Sequence, residues 1–170
     1  FCANATDRTE LSAFGISIDP SDPSKVYIGT SCGLARSTDA GATWSYLSPV
    51  VGAMRMWDVQ VTVDGVYVDT CGDSGHRFFD GTNWLAGTGL PSGICSLASN
   101  PYNGSNLFAV VGTLIYESPD GVSWTQTRTN PSSQGRIPFV ATNVRSGAVG
   151  SQTFDLWFGD ASLHRVLCDN

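Results

Sequence analysis

The stretch that most constrains this chain is Ser37-Thr38-Asp39-Ala40-Gly41-Ala42-Thr43-Trp44. Its Asp carboxylate is placed to accept hydrogen bonds from backbone N–H groups two and more residues on, which closes a tight loop. Gly41 supplies a positive φ, the Ser37 and Thr43 hydroxyls add local bonds, and Trp44 anchors the exit strand in apolar packing. Shorter versions follow at Asp80-Gly81-Thr82-Asn83-Trp84 and at Ser118-Pro119-Asp120-Gly121-Val122-Ser123-Trp124, so the turn aspartates stand 41 and then 40 residues apart. Each turn follows a short apolar run: Val26-Tyr27-Ile28-Gly29, Val66-Tyr67-Val68-Asp69 and Leu107-Phe108-Ala109-Val110. Leu156-Trp157-Phe158-Gly159 is a fourth copy of that run.

A period near 40 residues, built of short strands, is the signature of an all-β propeller with one four-stranded blade per repeat. On these turns the chain resembles the Asp-box (bacterial neuraminidase repeat) propellers, which include sialidases, xyloglucanase-type glycosidases and sortilin-type receptors. The first box fits the family pattern in full and the next two are shortened forms. The resemblance covers about residues 14–170 and speaks to fold, because members with unrelated activities share the box as a structural turn.

The blades are expected at about 14–48, 54–87, 93–128 and 137–170, with residues 1–13 as an arm or the outer strand of a neighbouring blade. Strands are expected at 14–19, 25–30, 34–38 and 43–47, then at 56–63, 66–70, 76–79 and 83–86. The third blade takes 94–99, 106–111, 114–118 and 123–127, and the fourth 138–143, 154–158 and 163–167. Asp169 aligns with Asp39, so the fourth blade is expected to stop inside its Asp turn without an outer strand. An arc of this kind leaves two unpaired sheet faces. The rest of the ring then comes from a longer chain, from other subunits, or from residues 1–13 closing a small ring with a Cys2–Cys168 bridge.

Composition narrows the partners. Thirteen Asp and two Glu oppose eight Arg and one Lys, for a net charge of −6, which argues against a nucleic-acid backbone. No run reaches the ~20 apolar residues of a membrane-spanning helix. The five cysteines lie far apart without a Cys-x-x-Cys pair, so disulfides in an oxidising compartment are expected and metal ligation is not. Asn4-Ala5-Thr6 and Asn103-Gly104-Ser105 are glycosylation acceptor patterns at Asn4 and Asn103. The chain begins at Phe1 without Met or signal peptide, which reads as a processed chain or a fragment. These features point to a secreted or cell-surface protein.

In a propeller the Asp turns share one rim, and ligands are expected on the other. The loops assigned to the ligand rim are 31–33, 71–75, 112–113 and 160–162, with 48–55, 87–93 and 128–137. Cys32 and Cys71 fall in equivalent loops of neighbouring blades, which suits a disulfide. Ligand-binding candidates there are Arg55, Trp57, His76 and Arg136: an indole covers the apolar face of a sugar ring while charged groups bond its hydroxyls. The plainer reading makes Trp57 a core residue and the charges solvated.

Three chemistries bear weighing. Arg136-Ile137-Pro138 is similar to the sialidase segment whose Arg grips the substrate carboxylate, but the only glutamates are Glu10 and Glu117, and the rest of that constellation is missing. Gly72-Asp73-Ser74-Gly75 matches a trypsin-like nucleophile segment, yet both histidines, His76 and His164, follow Ser74, whereas in that family the base precedes it. Asp73 and Asp160, in equivalent loops of blades two and four, are the weak candidates for the two carboxylates of a glycosidase. No phosphate-binding loop, metal cluster or cofactor motif is present. The reading is a recognition module for glycan or protein on the rim opposite the Asp turns. Its rivals are a piece of a sialidase-like or xyloglucanase-like hydrolase and a structural assembly subunit.

Overall fold

The computed structural model describes residues 13–47, 56–70, 77–91, 94, 96–102, 105–129, 139–144, 153–159 and 163–169. Their strands form four antiparallel sheets in sequence order. Blade one holds β1 (Ala13–Ile18), β2 (Val26–Thr30), β3 (Gly33–Ser37) and β4 (Ser45–Tyr46). Blade two holds β5 (Asp58–Val61), β6 (Val66–Asp69), β7 (Arg77–Phe79) and β8 (Trp84–Ala86). Blade three holds β9 (Leu97–Ser99), β10 (Leu107–Val111), β11 (Leu114–Ser118) and β12 (Thr125–Thr129). Blade four is a three-stranded sheet of β13 (Phe139–Val144), β14 (Thr153–Gly159) and β15 (Leu163–Asp169).

The first strands of successive sheets adjoin, which makes them the inner edge of an arc. One side-chain hydrogen bond ties each neighbouring pair. Val61 N–H donates to Ser17 Oγ at 3.1 Å, Leu97 N–H to Asp58 Oδ2 at 2.8 Å, and Thr142 Oγ1 to the Ser99 carbonyl at 2.5 Å.

Each middle blade buries both of its faces, so its strands carry apolar residues at nearly every position instead of at alternate ones. Val59, Val61, Val66 and Val68 of blade two meet Tyr27 and Leu34 of blade one. The opposite residues, Tyr67 and Phe78, meet Leu97, Leu107, Ala109 and Tyr116 of blade three. The far face of blade three, with Ala98, Phe108, Val110 and Ile115, packs on Phe154, Leu156, Phe158 and Cys168 of blade four. At one end of the arc Phe14, Ile16 and Ile18, alternate residues of β1, are 37%, 68% and 57% exposed.

The Asp turns form as their chemistry dictates. The Asp39 carboxylate accepts the Thr43 N–H at 2.8 Å, the Thr43 hydroxyl at 2.6 Å and the Ser37 hydroxyl at 2.7 Å. Ser37 Oγ accepts the Gly41 N–H at 2.8 Å, and the Trp44 indole donates to the Gly41 carbonyl at 3.0 Å. Asp80 Oδ1 takes the Thr82 and Asn83 N–H groups, while Asp120 Oδ1 takes those of Val122 and Ser123. Gly41, Gly81 and Gly121 have φ of 93°, 99° and 68°. Ionisation is favoured at all three carboxylates. The Thr43 hydroxyl and N–H, then the Ser37 hydroxyl, hold Asp39 at about 2. The Asn83 and Thr82 N–H groups lower Asp80. Burial opposes the charge on Asp120, but the Ser123 and Val122 N–H groups outweigh it.

The third turn is also an inter-blade joint. Tyr67 of blade two is fully buried, stacks on Phe78 at 4.5 Å and donates its hydroxyl to the Asp120 carbonyl at 3.0 Å. Thr88 donates its N–H to the Val122 carbonyl at 2.7 Å and accepts the Trp124 N–H at 3.0 Å.

Two expectations change here. The 87–93 segment was assigned to the ligand rim, but Thr88 and Gly89 lie against the third Asp turn. The three-residue β8 is too short to carry the chain across the sheet first. Asp169 is not at a turn position: it closes β15 opposite Thr153, as Ser37 closes β3 opposite Val26 and Ser118 closes β11 opposite Leu107.

Gly81 and Gly121 should respond differently to alanine. Gly81 has open space around it, so Gly81→Ala should lose only the positive-φ penalty, about 1–2 kcal/mol. At Gly121 a Cβ would land in the Tyr67 ring, and the displacement should add about 1–3 kcal/mol. Equal losses in chemical denaturation would contradict the inter-blade role of the third turn.

Acid should act through Asp39. Its folded value of about 2 lies below the ordinary 3.8. The stabilisation is therefore full above about pH 4 and lost as pH falls through about 2. Asp39→Asn should be less stable than the parent at neutral pH, and the gap should close on acidification. A gap independent of pH would rule this out.

Candidate functional site

The inner strands begin on the rim opposite the Asp turns, so the residues at their starts line the mouth of the arc. Phe14, near the start of β1, and Trp57, just before β5, stack there with ring centroids 4.9 Å apart and planes 12° from parallel. Trp57 is half-buried, and its N–H donates to the Asp69 carbonyl at 2.6 Å. Neighbouring Met56 is fully buried and donates its N–H to the Thr30 carbonyl at 2.9 Å. The indole is thus seated by its backbone on the ends of β2 and β6. It is neither a core residue nor a free platform but half of an aromatic pair.

Two carboxylates lie next to it in sequence and register but on the other face of blade two, toward blade three. Asp58 and Asp69 are direct cross-strand partners in β5 and β6, so their side chains share one face of blade two. Asp58 accepts the Val59 N–H through Oδ1 and the Leu97 N–H through Oδ2, both at 2.8 Å. Burial nevertheless pushes its pKa up. Asp69 is fully buried. In the same interface, burial also raises the Tyr67 phenol. This pair was not among the sequence candidates. The signal for it was an Asp closing the otherwise apolar Val66-Tyr67-Val68, which register alone pairs with Asp58.

Of the sequence-assigned site residues, Trp57 is in place on this rim. Arg55, Asp73, His76, Arg136 and Asp160 lie outside the described residues, as do Cys2, Cys71, Asn4 and Asn103. Cys32, on the same rim in the tight turn after β2, donates its N–H to Thr30 Oγ1 at 3.1 Å. It is disulfide-bonded, with its partner outside the described residues. Cys168 instead is a buried thiol in β15, enclosed in the core between blades three and four with Arg128 Nη2 4.0 Å from its sulfur. The bridge to Cys2 expected for a small closed ring is therefore not formed. Among the described residues there is no cluster of His, Cys, Asp and Glu able to hold a metal, and no helix long and apolar enough to cross a membrane.

No family model matches the chain, and no curated protein does. Solved structures do. A GH74 enzyme from Niastella koreensis is similar over 91% of this chain and 22% of its own, at 20% identity and a TM-score of 0.63. Virginiamycin B lyase from Staphylococcus aureus is similar over 93% and 55%, at 14% identity and a TM-score of 0.66. YCF48 from Cyanidioschyzon merolae is similar over 94% and 56%, at 17% identity and a TM-score of 0.57. YCF48 has also been solved bound to D1 peptide, and extracellular domains stand among the other similar structures. The chain spans between about a fifth and about half of the length of these proteins. All three are β-propellers. The fold of this chain is that of β-propeller blades.

Proposed function

We propose that this chain is an arc of an Asp-box propeller that recognises a glycan at the rim opposite its Asp turns, in a secreted or cell-surface setting. The observation that carries the reading is the stacked Phe14–Trp57 pair at the mouth, with Phe14 37% exposed. An aromatic face left open at the mouth suits a sugar, whose C–H face packs on rings while its hydroxyls bond polar groups. The disulfide at Cys32 supports an oxidising compartment, and Cys71 is its proposed partner. Asp73, His76, Arg55 and Arg136 would complete the rim as ligand contacts.

The remaining blades come, in this reading, from a longer chain or from other subunits. The exposed Ile16 and Ile18 of β1 form the face such a neighbour would cover, leaving Phe14 at the mouth. A hydrolase is the second reading, favoured by the similarity to GH74 enzymes. Asp73 and Asp160 would then be its carboxylates. A protein ligand or a purely structural role is the third.

One experiment separates them. The protein is titrated with xyloglucan and β-glucan oligosaccharides and with sialyllactose, while reducing-sugar release is followed in the same samples. The proposal expects binding without turnover, weakened about tenfold or more by Trp57→Ala and less by Trp57→Phe, as expected for loss of a stacking face. Turnover abolished by Asp73→Ala or Arg136→Ala would establish the hydrolase reading. Binding to none of these sugars, or binding indifferent to Trp57→Ala, would sink the glycan site.

A further inference from the structure

A second site lies on the other rim. Where blade one meets blade two among the Asp turns, a cleft of about 160 Å3 opens between the two sheets. A void of roughly 150 Å3 accommodates one benzene-sized ring, so this cleft admits a single ring-sized group. Its polar lining is Asp19, Tyr27, Arg36, Asp64 and Asp80, and Phe79 adds apolar surface.

The lining holds unused hydrogen-bonding capacity. Tyr27 is only 7% exposed, yet its hydroxyl makes no hydrogen bond to the described residues. The Arg36 Nε is buried and likewise without a hydrogen bond. Its guanidinium forms no ion pair among the described residues. Packing does not explain a guanidinium placed there, because a buried donor left unpaired is destabilising. Three carboxylates line the same cleft. Asp19 uses Oδ1 for the Ser21 N–H and hydroxyl, and Asp80 uses Oδ1 for two turn N–H groups. Asp19 Oδ2 stands 4.0 Å from Lys25 Nζ, so its charge is partly met. A carboxylate offers about four acceptor sites, so Asp80 keeps capacity toward the cleft and Asp64 keeps all of its own.

Charge selects the occupant. An anion would gain from Arg36 but meet three carboxylates. A cation would gain from the carboxylates but meet a guanidinium fixed in the same small space. A neutral polyhydroxylated ring opposes neither: its hydroxyls donate to carboxylates, accept from Arg36 and Tyr27, and leave C–H groups for Phe79. We infer that this cleft is a binding subsite for one neutral hexopyranose unit, on the Asp-turn rim and separate from the channel-mouth site. The inference does not rest on the function proposed above.

The test uses methyl β-D-glucopyranoside, methyl β-D-galactopyranoside and methyl α-D-mannopyranoside, titrated calorimetrically and by ligand-observed NMR. It is run in Trp57→Ala protein, so that sugar held at the opposite rim does not contribute. At least one pyranoside should bind saturably at one site with a Kd on the order of 1 mM. Tyr27→Phe and Arg36→Met should each weaken it about five- to tenfold, the effect of one lost hydrogen bond. Tyr27→Phe should leave the melting temperature unchanged, because the hydroxyl has no internal partner to lose. Should Arg36→Met fail to fold, Tyr27→Phe carries the test alone. The inference is overturned if no pyranoside saturates by roughly 100 mM, about a hundred times the expected Kd. Binding unaffected by Tyr27→Phe, or guanidinium or acetate binding more tightly than every pyranoside, would overturn it equally.

Discussion

Stability in this protein depends on burying both faces of small sheets against one another. A sheet with strands of two to seven residues has no interior of its own, and each repeat can remove its apolar side chains from water only by stacking on a neighbour. Val66 and Val68 serve the junction with blade one, while Tyr67, between them on β6, serves the junction with blade three. Apolar residues on consecutive positions are the sequence consequence. Close approach also requires Gly29: a Cβ there would meet the Met56 carbonyl at 2.7 Å. Direct hydrogen bonds between inner strands then fix the stagger of one blade on the next.

That arrangement leaves the two rims to carry recognition. Strand ends on one rim present the stacked Phe14 and Trp57. The other rim is knit by Asp turns, whose carboxylates bond backbone N–H groups within their own loops. The third turn shows that these loops are more than local punctuation, since the Tyr67 hydroxyl and Thr88 reach it from the preceding blade. The Arg36 cleft is lined by the Asp80 turn of the same rim.

Much of the fold was legible because its instructions are local. An Asp followed by Gly and a hydroxyl or Trp within five residues describes its own hydrogen bonds, and Asp39, Asp80 and Asp120 form them. Asp169 misled because spacing alone cannot tell a strand residue from a turn residue; strand pairing with Thr153 decides it. The site was less legible. Trp57 could be named as an aromatic near the start of an inner strand, but its partner Phe14 is 43 residues away in sequence, and only blade packing brings the rings together. Asp58 with Asp69, and Arg36 with Asp64, are likewise products of register and of the junction between sheets. Neither leaves a spacing that the sequence displays.

The central proposal is that these blades belong to a larger propeller whose neighbouring blade covers Ile16 and Ile18. The most direct measurement is the mass of the natural protein, denatured without reductant and then native. The account predicts a value well above the 18.0 kDa of these residues in at least one of the two. A larger denatured mass means blades from the same chain or a disulfide-linked one, and a larger native mass alone means blades from other subunits. Both masses at 18.0 kDa would contradict it, leaving a chain that is stable with its apolar end open.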